Sequence, residues 1–374
     1  NGGGSTTLAG DSTINTLSYL LWGQSINGNY RITKTGTGAN ALSNNYLKLS
    51  ASNNIAGVTV SSGIVGYQNR NAFGTGTLIL ADGVWVGQDG GINNGNPTGN
   101  DQTDRSVGNA LQINGNVTFG LGGYSSHFAG NVDLAGGTRT LTMSNTALFY
   151  GQVTNGGLVV DNGSSSANRT FYLYGSNSYA SGTEVRSNAY VGVGHDNALG
   201  SGNLVFSNAN ASASASRILA ATLSTNATQT RTITNNIQLN SVTDVSLASA
   251  TTAQSSTGSN VAVSLDTVLS GSITGSGGLS MDGAATYTLS GSNSYAGQTT
   301  LNTGTLKLGH ANALGSGDNT LGTGIRLAGG NLDLNGQNVG TEALSLNSTT
   351  SYVTNSSTTT AVWGGNIYLT NSTN

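Results

Sequence analysis

Apolar and polar residues alternate along this chain in short runs, and glycine and asparagine separate the runs. Phe171 and Leu173 flank Tyr172, as Tyr287 and Leu289 flank Thr288. Val191 and Val193 flank Gly192, as Leu306 and Leu308 flank Lys307. One parity stays large and apolar while the other varies. That is the period-two signature of a strand with one buried face. It predicts Leu173, Val191, Val193, Leu289, Leu306 and Leu308 as inward residues. Val132-Asp133-Leu134 and Leu332-Asp333-Leu334 place an acid on the outward parity. Arg139-Thr140-Leu141, Arg169-Thr170-Phe171 and Arg231-Thr232-Ile233 each begin a strand-like run. Glycine and asparagine supply the positive-φ corners that tight turns need. No segment holds a 3.6-residue period with caps and charged i,i+4 pairs, so the reading is all-β. The run Ala209 to Ser216 reads as a strand or loop.

The alternations belong to a repeat. Gly175 to Ala180 and Gly291 to Ala296, about 115 residues apart, both read GSNSYA. Their tails match too, with HDNALGSG at His195 to Gly202 and HANALGSG at His310 to Gly317. Asn71 to Gly76 (NAFGTG) is a degenerate third tail, and Asn319 to Gly324 (NTLGTG) reads as a fourth. The short alternations recur at roughly 20–25 residues, the spacing of a coiled β-array and not of a propeller blade. Such an array can exceed the usual size of one core because each unit packs only on its neighbours. The expectation is one continuous array over residues 1–374. A loop excursion is expected over 87–109, where Gly and Asn are dense and Pro97 stands alone.

The segment Leu289 to Gly297, then Thr299-Thr300-Leu301 and Gly304 to Gly309, closely resembles the autotransporter-associated β-strand repeat. Ala313 to Gly317, Leu332 to Gly336 and the upstream Leu269 to Leu279 continue the pattern. The likeness is strong over about 265–340, moderate over 170–205 and faint before 130. Gln298 stands where the family has a second glycine, and the first copy lacks an equivalent of Gly304. The resemblance implies a right-handed parallel β-helix, or β-solenoid, with loop excursions. It also implies a passenger-type protein outside a Gram-negative-type bacterium.

Composition narrows the partners. Charged residues are 7% of the chain and the net charge is −3, while 36% is hydrophobic. Disorder goes with the reverse balance. Low charge suits stacked rungs, where like charges about 4.8 Å apart would repel. Twelve scattered Lys and Arg do not make a nucleic-acid surface. There is no cysteine, which excludes disulfides and thiolate metal sites. No apolar run approaches the length of a membrane-spanning helix. The opening Asn-Gly-Gly-Gly reads as part of a longer precursor.

Candidate chemistry is sparse. Gly10-Asp11-Ser12 begins like a serine-protease nucleophile motif but continues Thr13-Ile14, and reads as a turn. His195 and His310 share a repeat position several rungs apart, too far for one metal ion. The densest oxygen cluster is Asp82, Asp89, Asp101 and Asp104. Asp89, Asp101, Asp104 and Arg105 form the candidate partner-binding loop, since loops on rigid scaffolds carry recognition. The acids do not recur at rung spacing, as a polysaccharide-cleaving cleft would require. Thr-x-Thr ladders of an ice-binding surface do not keep a constant period. The expected function is therefore non-enzymatic: a structural or adhesive stalk or fibre, with no cofactor. Its expected partners are further copies, more of the same polypeptide, or a glycan or host surface. The alternative is a polysaccharide-binding or polysaccharide-degrading β-helix.

Overall fold

The computed structural model describes residues 4–36, 43–92, 106–121, 123–163, 169–186, 189–207, 217–221, 230–240, 245–249, 253–254, 260–261 and 265–370. The expected strand or loop at Ala209 to Ser216 lies outside them. The regular elements of the described residues are all strands. The chain forms two compact units, Asn1–Ser181 with Gln254–Asn260, and Gly182–Ala253 with Val261–Asn374.

In the first unit the chain visits its sheets in rotation, and the named strands pair in parallel with the strands one circuit away. Tyr46–Leu49 pairs with Ile64–Tyr67, which pairs with Val84–Gln88 and then, through it, with Val117–Phe119. Side chains in register form inward columns. Leu47, Val65, Val86, Phe119 and Met143 follow one another in register, and all are buried. The aromatic members pack edge to face, with Phe119 and Phe149 at 5.3 Å and Phe149 and Phe171 at 4.8 Å. The second unit repeats the plan. Leu269, Leu289 and Leu308 stack in register, as do Met281, Leu301 and Leu327. The six residues expected to face inward are all buried.

Circuit length varies while register holds. Tyr46 meets Ile64 and Thr286 meets Thr305, both just under the expected spacing. Leu78 meets Leu111, a longer circuit that contains the expected excursion. At its borders, Gly87 and Gln88 are still strand residues, paired with Gly66 and Tyr67, and the ladder resumes with Val107 bridging Phe128. Long circuits also occur where no excursion was expected, with Leu204 meeting Ile237 and Ile237 meeting Ile273.

The two acid-bearing alternations end in the same turn. Asp133 Oδ1 accepts the Ala135 N–H at 2.8 Å, and Asp333 Oδ1 accepts the Asn335 N–H at 3.0 Å. Ala135 has φ 52° and Asn335 φ 47°. Alanine pays for this left-handed backbone, whereas asparagine tolerates it. Ala135→Asn should therefore stabilise the protein by about 0.5–1 kcal/mol, read as a raised denaturation midpoint in urea.

Candidate functional site

Most corners are held by backbone-directed side chains, and the repeated motif shows how. In Asn71 to Gly76, Asn197 to Gly202 and Asn312 to Gly317, the second and third residues are buried apolar groups: Ala72 and Phe73, Ala198 and Leu199, Ala313 and Leu314. The first asparagine's N–H is accepted by the side chain two residues earlier. His195 Nδ1 does this at 3.0 Å and His310 Nδ1 at 2.9 Å, and Asn69 Oδ1 takes the same part at 2.9 Å. Gly74, Gly200 and Gly315 then reverse the chain at φ 71°, 65° and 93°. The repeated histidines thus serve as turn acceptors. The expected fourth tail departs from this: Leu321 is 51% exposed, and Asp318 Oδ1 accepts the Thr320 N–H instead.

The GSNSYA half supplies a clamp. Asn293 is buried; its Oδ1 accepts the Ile273 N–H at 2.8 Å and its Nδ2 donates to the Ala313 carbonyl at 2.6 Å. One amide thus ties three successive circuits. Asn177 Oδ1 accepts the Val153 N–H at 2.7 Å in the same way. These bonds go to backbone groups of neighbouring circuits. A further clamp escaped the sequence reading. Asn53 Oδ1 accepts the Ile26 N–H at 2.8 Å and its Nδ2 donates to the Ala72 carbonyl at 2.6 Å. Its segment, Ser52-Asn53-Asn54-Ile55-Ala56, is a degenerate SNSYA with buried Ile55 in the place of Tyr179 and Tyr295.

The candidate partner-binding loop is only partly described; Asp101, Asp104 and Arg105 lie outside the described residues. Asp89 follows the strand Val84–Gln88. Its carboxylate accepts the Tyr46 hydroxyl and faces Lys48 Nζ at 3.3 Å. Tyr46 and Lys48 sit on the outward parity two circuits away, where Tyr46 packs with Ile64, Leu121 and Trp85. Burial, then the Asp89 carboxylate, push the Tyr46 hydroxyl up, so it stays a donor. Tyr19 stands edge-on to Tyr46 at 5.0 Å and is exposed. Asp82 is separate; its Oδ1 accepts the Asn116 N–H at 2.7 Å. No group of three or more His, Cys, Asp or Glu residues among the described residues is arranged to hold a metal ion.

Gly10-Asp11-Ser12 is a bend that leads into the strand Ser12–Asn15. Ser12 Oγ donates to the Gly10 carbonyl at 3.0 Å, and Asp11 Oδ1 accepts the Arg31 N–H at 2.8 Å. Beside it lies a cavity of about 370 Å³ whose lining includes Leu8, Ile14, Trp22, Ile26 and Ile32. His127, the one histidine of this unit, is buried with Nδ1 2.9 Å from the Tyr150 hydroxyl.

A buried cation was not foreseen. Lys34 is on the inward parity of Arg31–Thr35 and is fully buried. Its Nζ donates to Asn45 Oδ1 at 2.7 Å and to the carbonyls of Thr35 and Ser62, each at 3.0 Å. Three neutral oxygens hold the ammonium group, and burial pushes it down to about 8 from the usual 10.5.

Searches for similarity found no protein family whose profile matches this chain, and no matching curated protein or solved structure.

Two predictions follow from these corners. Asn293→Ala strands a buried N–H and a buried carbonyl, and should cost about 2–4 kcal/mol in denaturant unfolding. Ser294→Ala, at the exposed neighbouring position, should change it by about 0.5 kcal/mol or less. The Lys34 prediction concerns pH. Between about pH 8 and 10.5 the unfolded chain keeps a proton that folded Lys34 has lost. Stability contributed by Lys34 therefore rises with pH across that window. Denaturation midpoints of wild type and Lys34→Met, compared pH by pH, should show this rise in the wild type only.

Proposed function

We propose that each unit is a right-handed parallel β-helix and that the chain is a structural or adhesive segment of a stalk or fibre on a bacterial surface. The observation that carries this reading is how the inward columns run out. Ile325 and Leu344 are buried, and Ile367, next in register, is 57% exposed. The column Met281, Leu301, Leu327 and Leu346 ends likewise on Leu369, which is 77% exposed. In the first unit, buried Leu47 is followed outward by exposed Leu20, beside exposed Leu21 and Leu17. Edge strands with open hydrogen-bonding groups and uncovered apolar residues suit the addition of further rungs. Added rungs from a second copy joined heterologously would make a contact that builds open filaments.

The acids support a non-enzymatic role by what they do. Asp11, Asp82, Asp133, Asp266, Asp318 and Asp333 each accept a backbone N–H. At Asp333, burial alone would raise the carboxyl. The Ser356 hydroxyl and N–H, the Asn335 N–H and Lys307 outweigh it and hold it below the usual range. The extracellular setting and the passenger-type assignment rest on the likeness of residues 265–340 to the autotransporter-associated repeat.

Negative-stain imaging of the purified chain should show thread-like particles; compact globules would overturn the proposal. Light scattering across concentration then tests the stacking of copies. Growth that Leu369→Lys abolishes supports it, and a constant monomer mass would count against it.

A further inference from the structure

The three repeated tails are held from the following circuit by one side chain, two residues ahead of a strand. Before Leu111–Ile113 it is Asn109, whose Nδ2 donates to the Gly74 and Gly76 carbonyls at 3.1 and 2.6 Å. Before Ile237–Leu239 it is Asn235, whose Nδ2 donates to the Gly200 and Gly202 carbonyls at 3.0 and 2.7 Å. Before Leu344–Leu346 the residue is Glu342. A carboxylate has no proton to give where both asparagines are donors.

The local geometry registers the misfit. Glu342 is 8% exposed. Its Oε1 accepts the Gly317 N–H at 2.9 Å, while Oε2 is buried with no partner. Oε2 lies against the Gly317 backbone, so close that a Cβ on Gly317 would fall 1.9 Å from it. An unpartnered charged oxygen in such a place is costly, whereas a hydroxyl there is a donor beside the turn.

We propose that Glu342 is a protonated carboxylic acid that latches the His310 to Gly317 turn, and that its ionisation releases the turn as pH rises. The groups facing it agree. Asp318 brings negative charge and disfavours a second carboxylate, and Tyr295 is buried and neutral. His310 heads the turn with Nδ1 occupied by the Asn312 N–H. Burial first, then Asp318, push the Glu342 carboxyl above its usual range, against the Gly317 N–H. The latch sits one circuit from the exposed edge. Leu344 donates its N–H to the Asn366 carbonyl, and Gly365 packs on the Glu342 backbone. Loosening the turn therefore loosens the strand Ile367–Leu369.

The sign is fixed by linkage. Folded Glu342 holds its proton to higher pH than the unfolded chain does, so the latch is complete below the usual carboxylate range. It is lost as pH rises through the folded value. Hydrogen exchange of the 310–317 peptide, corrected for intrinsic rate, should show opening that increases by up to about tenfold per pH unit in that window. Glu342→Gln, whose amide keeps a donor at every pH, should abolish the increase and raise the melting temperature at neutral pH. Infrared difference spectra should show a protonated carboxyl band in the wild type that is absent from Glu342→Gln. Identical pH dependence in the two proteins, or no such band, would overturn the latch. So would calcium raising the neutral-pH melting temperature of the wild type alone, because a cation would then occupy the place assigned to the proton.

Discussion

Each parallel strand pair ends at a corner, and there the backbone must find partners that the sheet no longer offers. A buried N–H or carbonyl left unpaired costs about as much as several favourable contacts return. The clamp asparagines answer this constraint. Asn53 and Asn293 each accept from the circuit before and donate to the circuit after. Asn109 closes the turn that Asn53 clamps from the other side, and Asn235 closes the 197–202 turn in the same way. The apolar columns depend on them, because a column stays in register only if the corners between its strands keep theirs.

The same economy explains the scarcity of charge. A stacked array repeats each environment at the next rung, so an ion in one rung faces its counterpart in another. The acids that remain are mostly bound to backbone N–H groups, and Asp196 also pairs with Arg231 at 2.9 Å. Lys34 and Glu342 are exceptions of opposite kinds. Lys34 keeps its donors satisfied by three neutral oxygens, while Glu342 has an acceptor turned to a place that elsewhere holds a donor.

Strand identity and facing were legible because period-two alternation is local, as the buried Leu289, Leu306 and Leu308 show. The turn was legible where its residues recur almost unchanged, at 197–202 and 312–317. The corner at Asn53 was not, because isoleucine there replaces the tyrosine that marks the motif. The Tyr46–Asp89 contact joins residues two circuits apart, and nothing in either segment announces the other. Lys34 was hidden for the opposite reason: a lysine between two threonines reads as an outward residue, and only the oxygens around Asn45 make the inward position tenable. The long circuits after Leu204 contain a legible strand start at Arg231-Thr232-Ile233, but nothing local sets their length, which emerges only from the pairing.

The independence of circuit length from register has a consequence for how such a chain can change. Tyr46 to Ile64 and Ile237 to Ile273 span very different lengths, yet both deliver a strand to its place in a parallel ladder. Closing a longer loop adds only about 0.6 kcal/mol per doubling. Insertions in the loops between the clamped turns are therefore nearly neutral, whereas insertions within a strand reverse every side chain beyond them. Selection can edit these outer loops freely while the inner columns stay frozen, which makes the loops a reservoir of evolutionary novelty.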